Sequence, residues 1–158
     1  MIESVVAEGR DAIMAKLHEF WVLPKGLNKR ADELLEYRIA TWGELSFAPA
    51  AIEEAKELEY FLWDYCRSKE YAATRVNKRM VLESFQSFLP LRTLSRGYVP
   101  FNGLPMMDFA VIPHGELSTM AGILSGLPPY AAWRRLRELC LQAMEQGCHL
   151  LHRGILPE

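Results

Sequence analysis

Glycine and proline are unevenly spread along this chain, and that distribution restricts what it can fold into. Residues 50–89 contain neither. Residues 97–129 hold five of the ten glycines and five of the nine prolines, many apolar side chains, and no Lys or Arg. A long run without breakers favours helix, because glycine and proline are the two residues that cost a helix interior most. A breaker-rich run sustains neither a helix nor a central strand. Loops are ordinarily polar because their backbone groups need water. An apolar irregular segment must therefore be covered by the rest of the protein, by a ligand or by a partner.

Apolar spacing elsewhere is helical. Val5, Val6, Ile13, Lys16, Leu17, Phe20 and Trp21 fall on one stripe, which predicts a first helix over 4–23 that Pro24 and Gly26 stop. Asn28 suits the N-cap of a second helix with Ala31, Leu34, Leu35, Arg38, Trp42 and Leu45 inside. The run 50–89 reads as two helices meeting near Ser68 or as one long bent helix. In the irregular segment, 98–101 and 109–112 can pair as a small hairpin around Asn102-Gly103. A short helix over 116–125 follows. Pro128 and Pro129 then open a last helix whose inner face includes Trp133, Leu136, Leu139, Cys140, Ala143, Leu150 and Leu151, with Gly147 inside it at a cost of about 1 kcal/mol.

The expected fold is therefore all-α. Five to six helices surround a single core in one domain, 1–158, with an irregular Gly/Pro-rich apolar insert before the C-terminal helix. Phe20, Trp21, Leu35, Leu62, Phe85, Trp133 and Leu136 are expected to be buried together. Phe101, Met107, Phe109 and Ile112 are expected to be covered by the last helix near Trp133 or by a second copy of the chain.

Bulk charge narrows the partners. The net charge is −2, which gives no global attraction to nucleic acid or membrane. Locally the signs separate. Residues 31–66 carry nine acidic and two basic side chains, and residues 67–96 carry two acidic and seven basic. The basic members Arg75, Lys78, Arg79, Arg92 and Arg96 either form a solvated face or make up a candidate contact surface whose acidic partner lies within the fold or on another protein. Phosphate is the alternative, through a nucleic-acid-binding regulator. No apolar run is long enough to span a bilayer, and the first residues lack a basic n-region. Three unclustered cysteines suit reduced thiols in a cytoplasmic protein.

Chemistry-bearing patterns are short. His114-Gly115-Glu116, with His149 or His152 as a distant third ligand, has the residue types of a two-histidine, one-carboxylate iron site. Cys148, His149 and His152 resemble part of a zinc site but fall short of four ligands. Gly-x-Ser-x-Gly, phosphate-binding glycine loops and the calcium loop are absent from the sequence, so no cofactor, metal or catalytic residue is assigned. A small-molecule pocket, or a metal-dependent enzyme site, would centre on Phe101, Met107, Asp108, His114 and Glu116. The leading expectation is a small helical protein that acts without catalysis by binding a protein partner or itself, as an adaptor, regulator or chaperone-like subunit.

Overall fold

The computed structural model describes residues 17–40, 49–69, 74–77, 99–101 and 107–155. The described strands are β1 (Leu17–Leu23), β2 (Thr74–Asn77), β3 (Val99–Phe101), β4 (Met107–Ile112) and β5 (His149–Ile155). The described helices are α1 (Lys29–Ala40), α2 (Pro49–Ser68), α3 (Leu117–Ser125) and α4 (Ala131–Gln146). A single 3-10 turn, His114–Glu116, leads into α3. All strand pairs are antiparallel, and the sheet order is β2-β1-β5-β4-β3.

Strand alternation divides the molecule into three layers. Successive side chains of a strand point to opposite faces. Phe20, Ile112 and Leu150 pack with Leu117, Met120 and Leu124 of α3 and Trp133, Leu136 and Leu139 of α4. Trp21, Phe109, Val111 and Leu151 pack on the other face with Leu34 and Leu35 of α1 and Leu58 and Leu62 of α2. Helices thus cover both faces of the sheet.

The all-α expectation is overturned by this sheet. Its cause lies in β1 and β5, which are covered on both faces. A strand buried on two sides shows a continuous apolar run instead of alternation, and such a run also fits a helical stripe. Residues 17–23 are therefore strand where helix was expected, and residues 149–155 are strand where the last helix was expected to continue. The run 50–89 likewise breaks: α2 ends at Ser68, and Thr74–Asn77 form β2. The hairpin expected at 98–101 and 109–112 is present as β3 and β4. The single core is also corrected. Phe20, Trp133 and Leu136 lie on one side of the sheet, and Trp21, Leu35 and Leu62 on the other. Ile112 shares the cluster of Trp133, whereas Phe109 belongs to the opposite one. Phe85 and the side chains of Phe101 and Met107 lie outside the described set.

Gly147 explains the missed boundary of α4. Its φ is 68°, in the left-handed region that glycine enters without steric cost. Its N–H donates to the Met144 carbonyl at 3.2 Å, and the Cys148 N–H donates to the Ala143 carbonyl at 2.8 Å. These are the two bonds of a Schellman ending, with Cys148 and Ala143 in the same apolar cluster. Gly147 ends the helix and does not weaken its interior. The reversal delivers His149 to the first position of β5.

The two-sided core has a measurable consequence. Leu62→Ala and Leu136→Ala should each destabilise the fold by about 2–5 kcal/mol. Because the sheet separates them, the double variant should lose the sum to within about 0.5 kcal/mol. Urea melts of the four proteins check this, and strong coupling would show that the two residues share one core after all.

Candidate functional site

The sheet carries polar groups on both faces where an apolar core would be simpler. On the α1–α2 face, Glu19 of β1 is 1% exposed and stands directly between Arg75 of β2 and Arg153 of β5. Arg153 donates from Nε at 2.9 Å and from a terminal nitrogen at 2.6 Å to Oε1. Arg75 donates from Nε at 3.0 Å to Oε2. Its terminal nitrogen is also 3.0 Å from that oxygen. The Arg153 guanidinium lies over the Trp21 ring, 5.1 Å from its centroid. Arg75, a member of the expected contact surface, is therefore bound to an acid of its own chain. Lys78, Arg79, Arg92 and Arg96 lie outside the described residues.

On the opposite face two imidazoles meet. His18 Nδ1 lies 2.9 Å from His152 Nε2. Burial pushes the His18 ring down to about 4. The His152 ring is held well below the ordinary histidine range by burial first and by His18 second. Both rings are neutral at physiological pH.

A third polar group lies at the end of the sheet, where β1 leaves and β5 enters. The backbone N–H of His114 donates to His149 Nδ1 at 2.8 Å. That contact puts the ring's own proton on Nε2, which donates to Glu36 Oε1 at 2.7 Å. His114 donates in turn from Nε2 to the Met144 carbonyl at 3.1 Å. His149 is buried, whereas the Glu36 side chain is 58% exposed. Glu36 opens onto a cleft of about 160 Å³ lined by Leu23, Pro24, Lys25, Asp32, Leu35, Glu36 and His149.

Local sequence builds this cleft. Pro24 ends β1, and Gly26, at φ 86°, turns the chain. The Gly26 N–H donates to Asp32 Oδ2 at 2.9 Å, and Asn28 Oδ1 accepts the Ala31 N–H at 3.0 Å as the helix cap. Asp32 and Glu36 are four apart on α1 and so share one face. The cleft therefore has an apolar floor and holds two carboxylates against one lysine.

The expected pocket set is only partly assembled. His114 reaches the Glu36–His149 group through its backbone. Glu116 is exposed at the start of α3 and makes no side-chain cap bond. The side chains of Phe101, Met107 and Asp108 lie outside the described set. Among the described residues no three His, Cys, Asp or Glu side chains gather as a metal site requires. The triad expected from His114, Glu116 and His149 or His152 is thus not formed by these groups. Cys66 and Cys140 are poor nucleophiles, since burial pushes both thiols up to about 12. Glu19, Glu36, Asp32, His18 and Arg153 escaped the sequence reading. For His18, Glu19 and Arg153 the one signal is a charged or imidazole side chain inside an otherwise apolar run, as in Leu17-His18-Glu19-Phe20-Trp21, whereas Asp32 and Glu36 lie on a polar helix and have none. Among the described residues no helix is long and apolar enough to cross a membrane.

Two stability measurements test these assignments. Glu19→Gln leaves two guanidinium groups facing a neutral amide and should cost about 3–5 kcal/mol. Arg75→Ala, at a half-exposed partner, should cost less than about 1 kcal/mol. Equal losses at the two positions would contradict the ranking. Glu59 of α2 is also buried, and its Oε1 has no hydrogen-bond partner. Burial pushes its carboxyl up to about 7, while Arg38 and Lys56 pull it back. A raised acid is bound more tightly to its proton in the folded state, so the contribution of Glu59 to stability is fully present below about pH 4.5 and is lost as pH rises through about 7. Glu59→Gln should therefore stabilise the protein at pH 8, by up to about 3 kcal/mol, and change little at pH 4.5. A difference independent of pH would show that Glu59 is ionised and solvated.

The chain matches no protein-family model, no curated protein and no solved structure.

Proposed function

We propose that this chain is a non-catalytic binding protein whose contact point is the Glu36 cleft, and that the cleft accepts a cationic side chain of a protein partner. One observation carries the reading: a carboxylate that faces solvent is held in place by a buried imidazole. An exposed glutamate ordinarily samples many rotamers, and fixing it costs about 1–2 kcal/mol of entropy on binding. Here His149 holds Glu36 at 2.7 Å before any ligand arrives. His149 is itself fixed by the His114 amide.

Charge and size define the occupant. Asp32 and Glu36 outnumber Lys25 at the rim, and Leu23, Pro24 and Leu35 supply apolar walls. An ammonium or guanidinium on an alkyl stem matches both features. A cleft of about 160 Å³ is below the roughly 300–1,000 Å³ of ordinary small-molecule sites, so it suits one side chain better than a nucleotide. Acid–base catalysis fits poorly, because both nitrogens of His149 are engaged and neither is left to move a proton. The three cysteines are free and buried, which supports a reducing, cytoplasmic setting.

The test is a titration of isotope-labelled protein with N-acetyl-lysine methylamide, read by amide shifts. Shifts should gather at 24–36 and at His149, with a Kd on the order of millimolar. Acetylating the probe's amine should remove them. Glu36→Gln should weaken binding about tenfold or more, the cost of losing a charged acceptor. Equal binding of the neutral probe, or an unchanged Glu36→Gln, would overturn the reading.

A further inference from the structure

The His18–His152 pair sits across the sheet from the cleft and takes no part in it. His18 is 4% exposed and His152 is 1% exposed, in a layer otherwise built from Phe20, Val76, Leu150 and the apolar faces of α3 and α4. α4 packs on β1, β2 and β5, and α3 packs on α4, so these two helices close the layer.

The bond between the rings exists only while they are neutral. His18 Nδ1 and His152 Nε2 lie 2.9 Å apart, with the rings stacked at 5.2 Å. One nitrogen donates and the other accepts, and an imidazolium has no acceptor nitrogen. With both rings protonated the bond is lost, and two positive charges face each other across the same gap. Even one charge in an apolar layer is costly unless an acid meets it.

The charged groups of the surrounding elements stand elsewhere. α3 has no ionisable side chain. α4 turns Arg134, Arg135, Arg137, Glu138 and Glu145 to solvent, and its inward thiol, Cys140, is kept protonated by burial. Cys148, just before β5, adds a second thiol. β2 contributes Val76 to this layer, while its Arg75 binds Glu19 on the opposite face. On β4, Ala110 pairs with His152, and Asp108 is the acid at the position opposite Gly154. Among the described residues no carboxylate joins the two rings.

We propose that the His18–His152 pair is an acid-released latch: neutral, it joins β1 to β5 beneath α4; protonated, it opens the α3–α4 layer while the α1–α2 layer stays closed. Lifting α4 from β1, β2 and β5 brings water to both rings without breaking a strand pair. The opposite face is tied across the same three strands by Glu19 to Arg75 and Arg153.

Linkage gives the direction. Burial holds His18 at about 4 and His152 well below 6.5, and both regain the ordinary value of 6.5 once the layer opens. The closed form is therefore fully stable above about pH 6.5 and loses about tenfold per pH unit for each ring as pH falls toward 4. Glu59, the buried acid of the α1–α2 layer, responds the other way. It takes up its proton in the folded state as pH falls through about 7, which strengthens that layer over the range that weakens its opposite.

Amide hydrogen exchange at about pH 7 and about pH 5, corrected for intrinsic rates, tests the latch. Opening of α3 and α4 should rise roughly 500-fold between the two, and opening of α1 and α2 by less than about tenfold. The double variant His18→Leu, His152→Leu should lose the pH response, and Asp108→Asn should keep it. Equal rises in all four helices overturn the proposal. So does an unchanged response in the double variant, or loss of the response in Asp108→Asn, which would assign the trigger to that acid. The wild-type chain decides the matter if the double variant fails to fold. Its His18 and His152 ring signals should stay flat from about pH 8 to about pH 5, and titration of either near 6.5 in the folded protein overturns the latch.

Discussion

Glu19 fixes the sheet. A carboxylate at 1% exposure, between guanidinium groups on both neighbouring strands, has one acceptable register. Sliding β1 by one residue would turn Glu19 into the α3–α4 core, away from Arg75 and Arg153, and leave its charge without a partner. The same slip would move His18 away from His152 and exchange Phe20 with Trp21. Apolar matching alone discriminates less, since both faces of β1 are apolar and either would tolerate the other's leucines. The ion group thus supplies what a two-sided strand lacks, a side chain that belongs on one face only. Interchanging layers is prevented by chemistry and not by volume.

With that register set, the positions of the other polar groups follow. β1 and β5 run side by side for seven residue pairs, from Leu17 opposite Ile155 to Leu23 opposite His149. His149 therefore emerges next to the end of β1, where Pro24 and Gly26 release the chain into α1. Asp32 and Glu36 then descend along one face of that helix to the imidazole. Cleft and sheet are connected through the strand ends, and no long loop is needed to build the cleft. This places the cleft on a rigid element, where a carboxylate can be held before a ligand comes.

The sequence announced some of this arrangement and concealed the rest, for physical reasons that can be assigned to residues. The hairpin was legible because Asn102-Gly103 separates two short apolar runs. The inner face of α3, Leu117, Met120, Ala121 and Leu124, was legible because a surface helix displays its period. The Asn28 cap was legible from its side chain alone. β1 was hidden because a strand covered on both faces shows no period of two. β5 was hidden behind Gly147, a residue that reads as a weak helix interior until its positive φ is known. The candidate site was the least legible part. Glu36, Glu19 and His18 acquire meaning only from partners 113, 134 and 134 residues away. Such pairings have no signature in a single local window.

The chain's four histidines show how far environment outweighs residue type. His114 lies in an exposed turn and uses a ring nitrogen to bind the Met144 carbonyl at the end of α4. That carbonyl also accepts the Gly147 N–H, so the turn and the helix ending are joined at one oxygen. His149 is enclosed between a backbone donor and a carboxylate, and its proton has a defined place and destination. His18 and His152 are enclosed with one another. A histidine with both nitrogens satisfied has completed its chemistry and can only orient its neighbour, which is the part His149 plays for Glu36. A buried histidine with a nitrogen unsatisfied, as in His18, costs the fold about 1–3 kcal/mol.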